Sequence, residues 1–185
     1  MPSGLCTAVL AAGLSSRFGG DKLLHPFNGR PLAAHIADTL AGIDVGHRIA
    51  ICPSDSAQRA ALFAASGFEI VGNPYPDRGL AYSLALAAVR ATELAADGLL
   101  VCLADMPNVT SAHLLALISV ATDSEIVATR AGNLRCPPAI FGRSSLPLLL
   151  GLSGDHGARQ LLGTAALVKA APEMVRDFDV AADFS

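Results

Sequence analysis

The sequence predicts an α/β fold, a Rossmann-like, doubly wound and mostly parallel sheet with helices on both faces. Two observations lead to this class. Short apolar runs of β-type composition alternate along the chain with longer segments of helical periodicity, at a spacing that suits parallel crossovers. The length of 185 residues, with 52% hydrophobic and only 16% charged residues, is typical of one compact domain with a substantial core.

The predicted elements follow one another in the order that such a sheet requires. Strands are predicted at residues 7–11, 48–52, 69–71, 99–103 and 126–129, and helices at residues 31–40, 57–65, 82–95 and 111–121. Pro31 suits a first helical turn, and Thr110 suits an N-cap. From Asn133 onward the periodicity is less regular, because prolines and glycines divide the chain into short pieces. We interpret this part as an addition to the same domain, so that residues 1–185 form a single domain.

Charge and apolar patterning argue against several classes of protein. The net charge is -3 and no cluster of lysines or arginines occurs, which predicts no nucleic-acid surface. No apolar run reaches the roughly 20 residues that span a bilayer, and the N-terminus does not resemble a signal peptide. We therefore expect a cytoplasmic protein without membrane association. The 4 cysteines are far apart without a C-x-x-C pair, and they are expected to be reduced and mostly buried.

The first predicted strand runs directly into a loop that carries a glycine and two cations. Gly13 allows a sharp turn and a close backbone approach to a ligand, while Arg17 and Lys22 supply full positive charges. Successive backbone amides in such a loop can point at anionic oxygens. The loop lacks the Gly-Lys-Ser/Thr ending of a P-loop, and the chain has no G-x-G-x-x-G. The pattern favours a polyphosphate site, with a nucleotide as the ligand.

Four motifs in order resemble the nucleotidyltransferases that build molybdenum cofactor dinucleotides, and the cytidylyltransferases among them in particular. The motifs are Leu10-Ala-Ala-Gly13 with Ser16-Arg17-Phe-Gly-Gly and Lys22-Leu, then Asn73-Pro74 with Gly79 and Ser83-Leu84, then Leu103-Ala-Asp105-Met-Pro107, then Gly154-Asp155-His-Gly-Ala-Arg159. Asp177-Phe-Asp179 resembles the terminal Asp-x-Asp of the family. The resemblance spans nearly the whole chain, and it implies a fold like that of the nucleotide-diphospho-sugar transferases.

The resemblance also implies an activity. CMP would pass from CTP to the phosphate of molybdopterin, the organic part of the molybdenum cofactor, with Mg²⁺ as cofactor and pyrophosphate as the second product. The partners would then be CTP and molybdopterin, with a molybdenum hydroxylase or its chaperone receiving the product. Mg²⁺ suits the motif around Asp105, because it prefers one or two carboxylates together with water and substrate phosphates.

Site residues carry over from the family to the matching positions. The implied catalytic residues are Arg17, Lys22 and Asp105; the implied nucleotide-binding residues are Leu10, Ala11, Ala12, Gly13, Arg17, Lys22, Asn73, Gly79 and Ser83; the implied metal ligands are Asp105 and Asp179; and the implied acceptor-binding residues are Asp155 and Arg159. Each position also has a plainer interpretation. Asp105 could cap the helix that follows, the two cations could be solvated, Asp179 could belong to a solvated acidic tail, and the other motifs could be ordinary turns.

Alternatives to the cytidylyltransferase remain at this stage. They are a guanylyltransferase for the same acceptor, a cytidylyltransferase for a sugar or polyol phosphate, and a non-catalytic chaperone that binds a nucleotide or a cofactor. Ala11-Ala12 favours the cytidylyl version, because guanylyl relatives more often carry a glycine beside the loop glycine. The chain departs from many cytidylyl relatives at Cys136-Pro137-Pro138, where they have a His-Pro step. That departure puts the identity of the acceptor in doubt.

Overall fold

The fold was analysed in a computed structural model that describes residues 4–16, 18–152 and 161–178. The strands of these ranges are β1 (Leu5–Leu10), β2 (Pro26–Phe27), β3 (Arg30–Pro31), β4 (His47–Pro53), β5 (Glu69–Asn73), β6 (Gly98–Leu103), β7 (Ile126–Ala131), β8 (Leu134–Gly142) and β9 (Ala166–Ala170). The α-helices are α1 (Leu32–Ala41), α2 (Ala57–Ala65), α3 (Leu80–Glu93), α4 (Ser111–Val120) and α5 (Leu146–Leu150). No helix within the described ranges is long and apolar enough to cross a membrane.

Seven strands form one sheet in the order β5-β4-β1-β6-β8-β7-β9, and β2 and β3 form a separate small hairpin. The strands β5, β4, β1 and β6 run parallel to one another, β8 is antiparallel to both β6 and β7, and β9 pairs parallel with β7. The predicted mostly parallel, doubly wound sheet is therefore confirmed.

Two hydrophobic layers cover the two faces of the sheet. Residues of β1 alternate between them: Val9 belongs to the layer with α1, α2 and α4, and Ala8 and Leu10 belong to the layer with α3 and α5. The alternation follows from the two-residue period of a strand, which sends successive side chains to opposite faces. Because both faces of β1 are covered, all six of its residues are buried and the strand is a nearly continuous apolar run interrupted only by Thr7.

The predicted strands and helices up to residue 131 are found within about two residues of their expected bounds. Thr110 caps α4, since its side-chain oxygen accepts a hydrogen bond from the His113 amide. Pro31 differs slightly from expectation: it lies in β3, one residue before α1 begins.

The region after Asn133 contains more regular secondary structure than the short pieces that its prolines predict. It contributes β8, a nine-residue strand that includes Pro137 and Pro138. Ala128 pairs with Ala139 whereas the next residue, Thr129, pairs with Cys136, so the two prolines have no pairing partner on β7. Proline lacks an amide hydrogen and is tolerated in a sheet at such bulges. The prediction of short irregular pieces was therefore wrong for this segment.

Candidate active site

The carboxyl ends of β1 and β6 bring two sequence motifs together. Leu10 and Leu103, the last residues of these strands, are paired in the sheet, and the Ala104 amide donates to the Leu10 carbonyl at 3.2 Å. The loop after β1 therefore faces the turn after β6. Across this junction Lys22 Nζ lies 2.7 Å from Asp105 Oδ2. The structure thus joins two predicted catalytic residues at the sheet edge where open α/β folds bind their ligands.

A cavity of about 390 Å³ lies directly above this ion pair. Seven of the predicted site residues line it: Leu10, Ala12, Gly13, Lys22, Gly79, Ser83 and Asp105. Residues 14–16 and Asp77 complete much of the wall. We call this space the first cavity. Its lining combines a loop backbone, a cation, a carboxylate and the start of α3, which is the mixture of groups expected for a phosphorylated ligand and a metal.

The loop at the edge of the first cavity presents unused backbone donors. Within the described part of the chain, the amides of Ala12, Gly13 and Leu14 donate no hydrogen bond. Ser15 has a left-handed backbone (φ 52°), and its buried hydroxyl oxygen has no hydrogen-bond partner among the described residues. Consecutive free amides beside a left-handed residue form the kind of concavity that binds anions.

Of the two reasons predicted for Gly13, a sharp turn and a close approach of a ligand, the structure agrees with the second. Its φ is not among the positive values of the chain, so a sharp left-handed turn does not require it. A Cβ built at Gly13 would meet no atom within 4 Å, although the residue lines the first cavity. The glycine therefore keeps open space beside the cavity, which agrees with the expected close approach of a ligand.

The segment opposite the loop is shaped by one obligatory glycine. Gly79 precedes α3 with φ 79° and ψ -171°, a combination that is essentially limited to glycine. This backbone directs the N-terminus of the 14-residue helix α3 toward the first cavity, which is lined by Leu80 and Ser83. Helix N-termini favour anions, because their first amides are unpaired and the helix dipole is positive there.

Two predicted nucleotide-binding residues do not line the first cavity. Asn73 is fully buried; its Nδ2 donates to Ser83 Oγ at 3.0 Å, and its Oδ1 accepts from the Tyr75 amide at 2.8 Å. Ala11 is also fully buried, and its amide donates to the Ile51 carbonyl. Asn73 therefore holds Ser83 and the following turn in place, and Ala11 belongs to the core beneath the loop.

A second cavity, of about 470 Å³, adjoins the first. Both are lined by Leu10, Leu80, Leu103 and Asp105. The rest of the second cavity is mainly apolar and comes from α3, β6 and the turn after it, β8 and the C-terminal part of the chain: Leu84, Val101, Met106, Leu134, Arg135, Cys136, Pro137, Ala139, Phe141, Leu162, Val175 and Asp177. Asp105 thus stands at the boundary between two ligand-sized spaces.

Cys136 is a buried thiol that lines the second cavity. Burial, and to a smaller extent the negative charge of Asp177, raises the pKa of its thiol to about 11. The thiol, rather than the reactive thiolate, is therefore the dominant form. Cys6, Cys52 and Cys102 are likewise buried and free, which confirms the expectation that the thiols are buried.

The carboxylates of the site suit a metal ion that takes its remaining ligands from the phosphate groups of a bound nucleotide. Among the described residues, no group of three or more histidine, cysteine, aspartate or glutamate side chains is arranged to hold a metal ion. Asp105 shares the second cavity with Asp177. Mg²⁺ is commonly held by one or two carboxylates, with phosphate oxygens and water completing the octahedron. The residues present thus suit an ion that arrives with a nucleotide.

Four predicted site residues lie outside the described ranges. They are Arg17, Asp155, Arg159 and Asp179.

Several residues of the site were missed from the sequence. Asp77 and Asp177 line the two cavities, and Arg59 on α2 hydrogen-bonds to the loop after β1. In the sequence, Asp177 stands out only as part of the terminal Asp-x-Asp motif. Nothing near Arg59 in the sequence marks it, because its partners are 38 to 48 residues away.

Comparisons with known proteins agree with this geometry. The purine catabolism protein PucB of Bacillus subtilis is 29% identical over 179 residues, covering 88% of this chain and 82% of PucB. A probable molybdenum cofactor guanylyltransferase of Pyrococcus horikoshii is 36% identical over 88 residues, covering 46% of this chain and 45% of that protein.

Among solved structures, Rv0371c of Mycobacterium tuberculosis superposes with a TM-score of 0.84 at 26% identity, covering 100% of this chain and 97% of that one. The same protein has also been solved in complex with manganese. Residues 7–170 match the MobA-like NTP transferase domain, a match that covers most of the chain and includes Gly13, Lys22 and Asp105. The chain therefore belongs to the MobA-like NTP transferase family.

Proposed function

We propose that this protein transfers CMP from CTP to the phosphate of molybdopterin, the organic part of the molybdenum cofactor, and releases pyrophosphate. The observation that carries the proposal is the position of Asp105, paired with Lys22, at the boundary of two adjoining cavities. A transferase that joins two phosphorylated molecules needs two such spaces with charged groups between them. Family membership supports nucleotidyl transfer; the base and the acceptor are the proposed parts.

The first cavity receives the nucleotide. The free amides of Ala12, Gly13 and Leu14 donate to phosphate oxygens, together with the cations of Lys22 and Arg17. Lys22 exchanges its bond with Asp105 for one with the α-phosphate, where a compact charge is effective. Arg17, which can bridge several oxygens, suits the β- and γ-phosphates. Positioning and charge neutralisation are the main sources of catalysis in phosphoryl chemistry.

The reaction is an in-line displacement without a covalent enzyme intermediate. An oxygen of the acceptor phosphate forms a bond to the α-phosphorus, the bond from that phosphorus to the bridging oxygen breaks, and the electron pair leaves with pyrophosphate. Asp105, assisted by Asp177 or Asp179, would hold the Mg²⁺. When bound, this ion neutralises charge on the phosphate oxygens of both reactants.

The second cavity suits the acceptor. Its mainly apolar lining, with Arg135 and Asp177 among the few charged side chains, accommodates a ring system that carries polar edges and a phosphate. Asp155 and Arg159 remain the proposed contacts to that phosphate. Cys136 and Pro137, which replace the His-Pro step of many cytidylyl relatives, line this cavity rather than the first. The departure in sequence therefore concerns the acceptor and leaves the nucleotide site intact.

GTP is the second candidate donor, because one relative is named a probable molybdenum cofactor guanylyltransferase. The cytidylyl proposal depends on Ala11-Ala12, and the structure divides their roles. Ala12 lines the first cavity, whereas the side chain of Ala11 is buried in the core. Small side chains at this turn leave backbone edges for a pyrimidine. A well-built hydrogen-bonding pocket discriminates by as much as ~10⁴-fold, and a solvent-open one by much less.

The test is a matrix of the four nucleoside triphosphates against molybdopterin and a sugar phosphate, with Mg²⁺ present. Pyrophosphate release and the mass of the product are measured. We expect release with CTP and molybdopterin, and a clear preference for CTP over GTP in competition. Equal or greater incorporation of GMP would replace the cytidylyl assignment by the guanylyl one. Transfer to the sugar phosphate alone would overturn the proposed acceptor.

A further inference from the structure

Arg59 is a buried cation beneath the nucleotide-binding loop. The side chain comes from α2, is only 5% exposed, and makes three hydrogen bonds to the segment after β1. Its Nη1 donates to two carbonyl oxygens, that of Ala11 at 2.7 Å and that of Gly13 at 2.8 Å. Its Nε donates to Asp21 Oδ2 at 2.7 Å. Arg59 therefore connects both ends of the loop that carries the free amides.

The two carbonyl bonds decide which way the loop amides point. In a trans peptide unit the C=O and the next N–H point in opposite directions. When the carbonyls of Ala11 and Gly13 point at Arg59, the amides of Ala12 and Leu14 point away from it. These are amides without a partner among the described residues, and their residues line the first cavity. Arg59 thus turns donors toward the ligand and acceptors away from it.

Arg59 itself does not line the first cavity. It lines a different one, which shares Gly13 and Leu14 with the first and also includes Asp21. The loop backbone therefore separates the guanidinium from the place where the nucleotide would bind. Arg59 acts on the ligand through the backbone, so it is a positioning residue.

The bond to Asp21 extends this control to Lys22. Asp21 Oδ1 accepts from the Leu23 amide at 3.1 Å, while its Oδ2 accepts from Arg59. Lys22 lies between Asp21 and Leu23 in the chain, and its Nζ contacts Asp105. The backbone on either side of Lys22 is therefore held by the same guanidinium that holds the start of the loop. The position of the Lys22 ammonium relative to the loop amides is thereby fixed.

We propose that Arg59 positions the phosphate-binding loop for its triphosphate ligand, by holding the carbonyls of Ala11 and Gly13 and the carboxylate of Asp21. This inference rests on the proposed nucleotide site. It predicts that Arg59→Lys, which keeps the positive charge, still impairs triphosphate binding. A lysine ammonium lacks the planar guanidinium group that can donate to three acceptors at once. A displacement of about 1 Å in a positioned group can cost roughly 100-fold in rate.

The test compares Arg59→Met and Arg59→Lys with the matched control Arg48→Met. Arg48 also donates to backbone carbonyls, those of Leu40 and Ile43, but it holds the connection between α1 and β4. The measurements are the affinity for CTP and for GTP with Mg²⁺ by calorimetry, the split between KM and kcat, and amide hydrogen exchange. We expect both Arg59 variants to bind triphosphate at least tenfold more weakly, with faster exchange at residues 11–24. The control should keep wild-type affinity, even where it lowers the melting temperature.

Asp21→Asn keeps the test decisive where an Arg59 variant does not fold. The Asp21 side chain is partly exposed, and the change leaves both carbonyl bonds of Arg59 in place. It should quicken exchange at residues 21–24 and lower kcat, with a smaller effect on affinity. The inference would be overturned if the Arg59 variants showed unchanged affinity for triphosphate and unchanged amide hydrogen exchange. If the Arg59 variants do not fold, the same unchanged values in Asp21→Asn would overturn it.

Failure of the proposed reaction has a different signature. In that case the wild-type protein transfers no nucleotide but still binds a triphosphate, and the Arg59 variants lose that binding. A wild-type protein that binds none of the four triphosphates would overturn both the nucleotide site and the role of Arg59.

Discussion

Lys22 and Asp105 form the central contact of the site at the scale of single residues. The side chains are only 10% and 18% exposed, and their charged atoms lie 2.7 Å apart. In the absence of a ligand each charge neutralises the other, which lowers the cost of keeping both near the protein interior. Binding of a triphosphate and a cation supplies a new partner for each. The pair is therefore suited to exchanging an internal contact for two ligand contacts.

Asp105→Asn should nearly abolish turnover and leave the fold intact. The side chain lies in a turn after β6 and is not part of the hydrophobic core, whereas its charge is proposed to hold Mg²⁺. By comparison with the effects of residues that support metal ligands, we expect a loss of about 10–100-fold or more. The rate of pyrophosphate release at saturating Mg²⁺ measures this, and circular dichroism checks the fold. Asp123→Asn, at an exposed site, is the control. A near wild-type rate would remove Asp105 from the site.

Lys22→Ala should reduce the rate far more than it reduces the binding of the nucleoside part. The lost ammonium acts on phosphate, and removal of one such group costs roughly 100-fold in kcat. Affinity for cytidine, which has no phosphate, should stay close to that of the wild type. Calorimetry with cytidine and steady-state kinetics with CTP separate the two effects. Lys169→Ala, on the exposed edge of β9, is the matched control. A full turnover number would disprove the role of Lys22.

At the scale of elements, α4 is fastened to the bulge of the sheet by a buried histidine. His113 Nε2 lies 2.8 Å from Thr129 Oγ1, and that hydroxyl donates to the Pro138 carbonyl at 2.7 Å. Since the hydroxyl has given its hydrogen to Pro138, the imidazole Nε2 must donate to Thr129. The contact joins α4, β7 and the proline-containing part of β8, and so it supports the wall of the second cavity.

Stability should fall as the pH is lowered below about 6.5, partly because of His113. Burial lowers the pKa of His113 below its ordinary value of 6.5, so the unfolded chain binds a proton more readily than the folded one. The contribution of His113 is complete above pH 6.5 and is lost as the pH falls through the folded pKa. Urea unfolding of the wild type and His113→Gln between pH 5 and pH 7.5 would measure this.

The variant should show a shallower pH dependence, because glutamine does not titrate there. His47→Gln, at an exposed histidine of β4, controls for the replacement of a histidine by glutamine outside the core. Equal pH slopes for the wild type and His113→Gln would contradict the assignment.

At the scale of the whole molecule, the site belongs to the sheet rather than to any one motif. The loop after β1, the turn after β6 and the start of α3 meet because parallel neighbours end at one edge. Ligands that bind across these elements should therefore stabilise the folded chain as a unit. Binding to the folded state alone adds about 2.7 kcal/mol at a ligand concentration of 100 times Kd.

Saturating CTP with Mg²⁺ should raise the melting temperature by about 5–10 °C for a chain of this size. Differential scanning calorimetry, with and without EDTA, measures the shift and the share of it that needs the metal. Asp105→Asn should lose most of the metal-dependent part. A shift of the same size with cytidine alone would show that the phosphate contacts contribute nothing, against the proposed role of the loop.

Local sequence patterns were enough to predict the class of fold and the position of the main motifs. The periodicity of hydrophobic residues and the residue types of a loop are local properties of a sequence. Parallel neighbouring strands place the loops that follow them at one edge of the sheet. The contact between Lys22 and Asp105, which are 83 residues apart, was therefore predictable. The roles of Asn73, which supports Ser83, and of Arg59 depended on tertiary structure, because burial and long-range hydrogen bonds leave no local pattern. The strand β8 was likewise decided by pairing on both sides, which accommodates two prolines in a bulge that propensity alone would exclude.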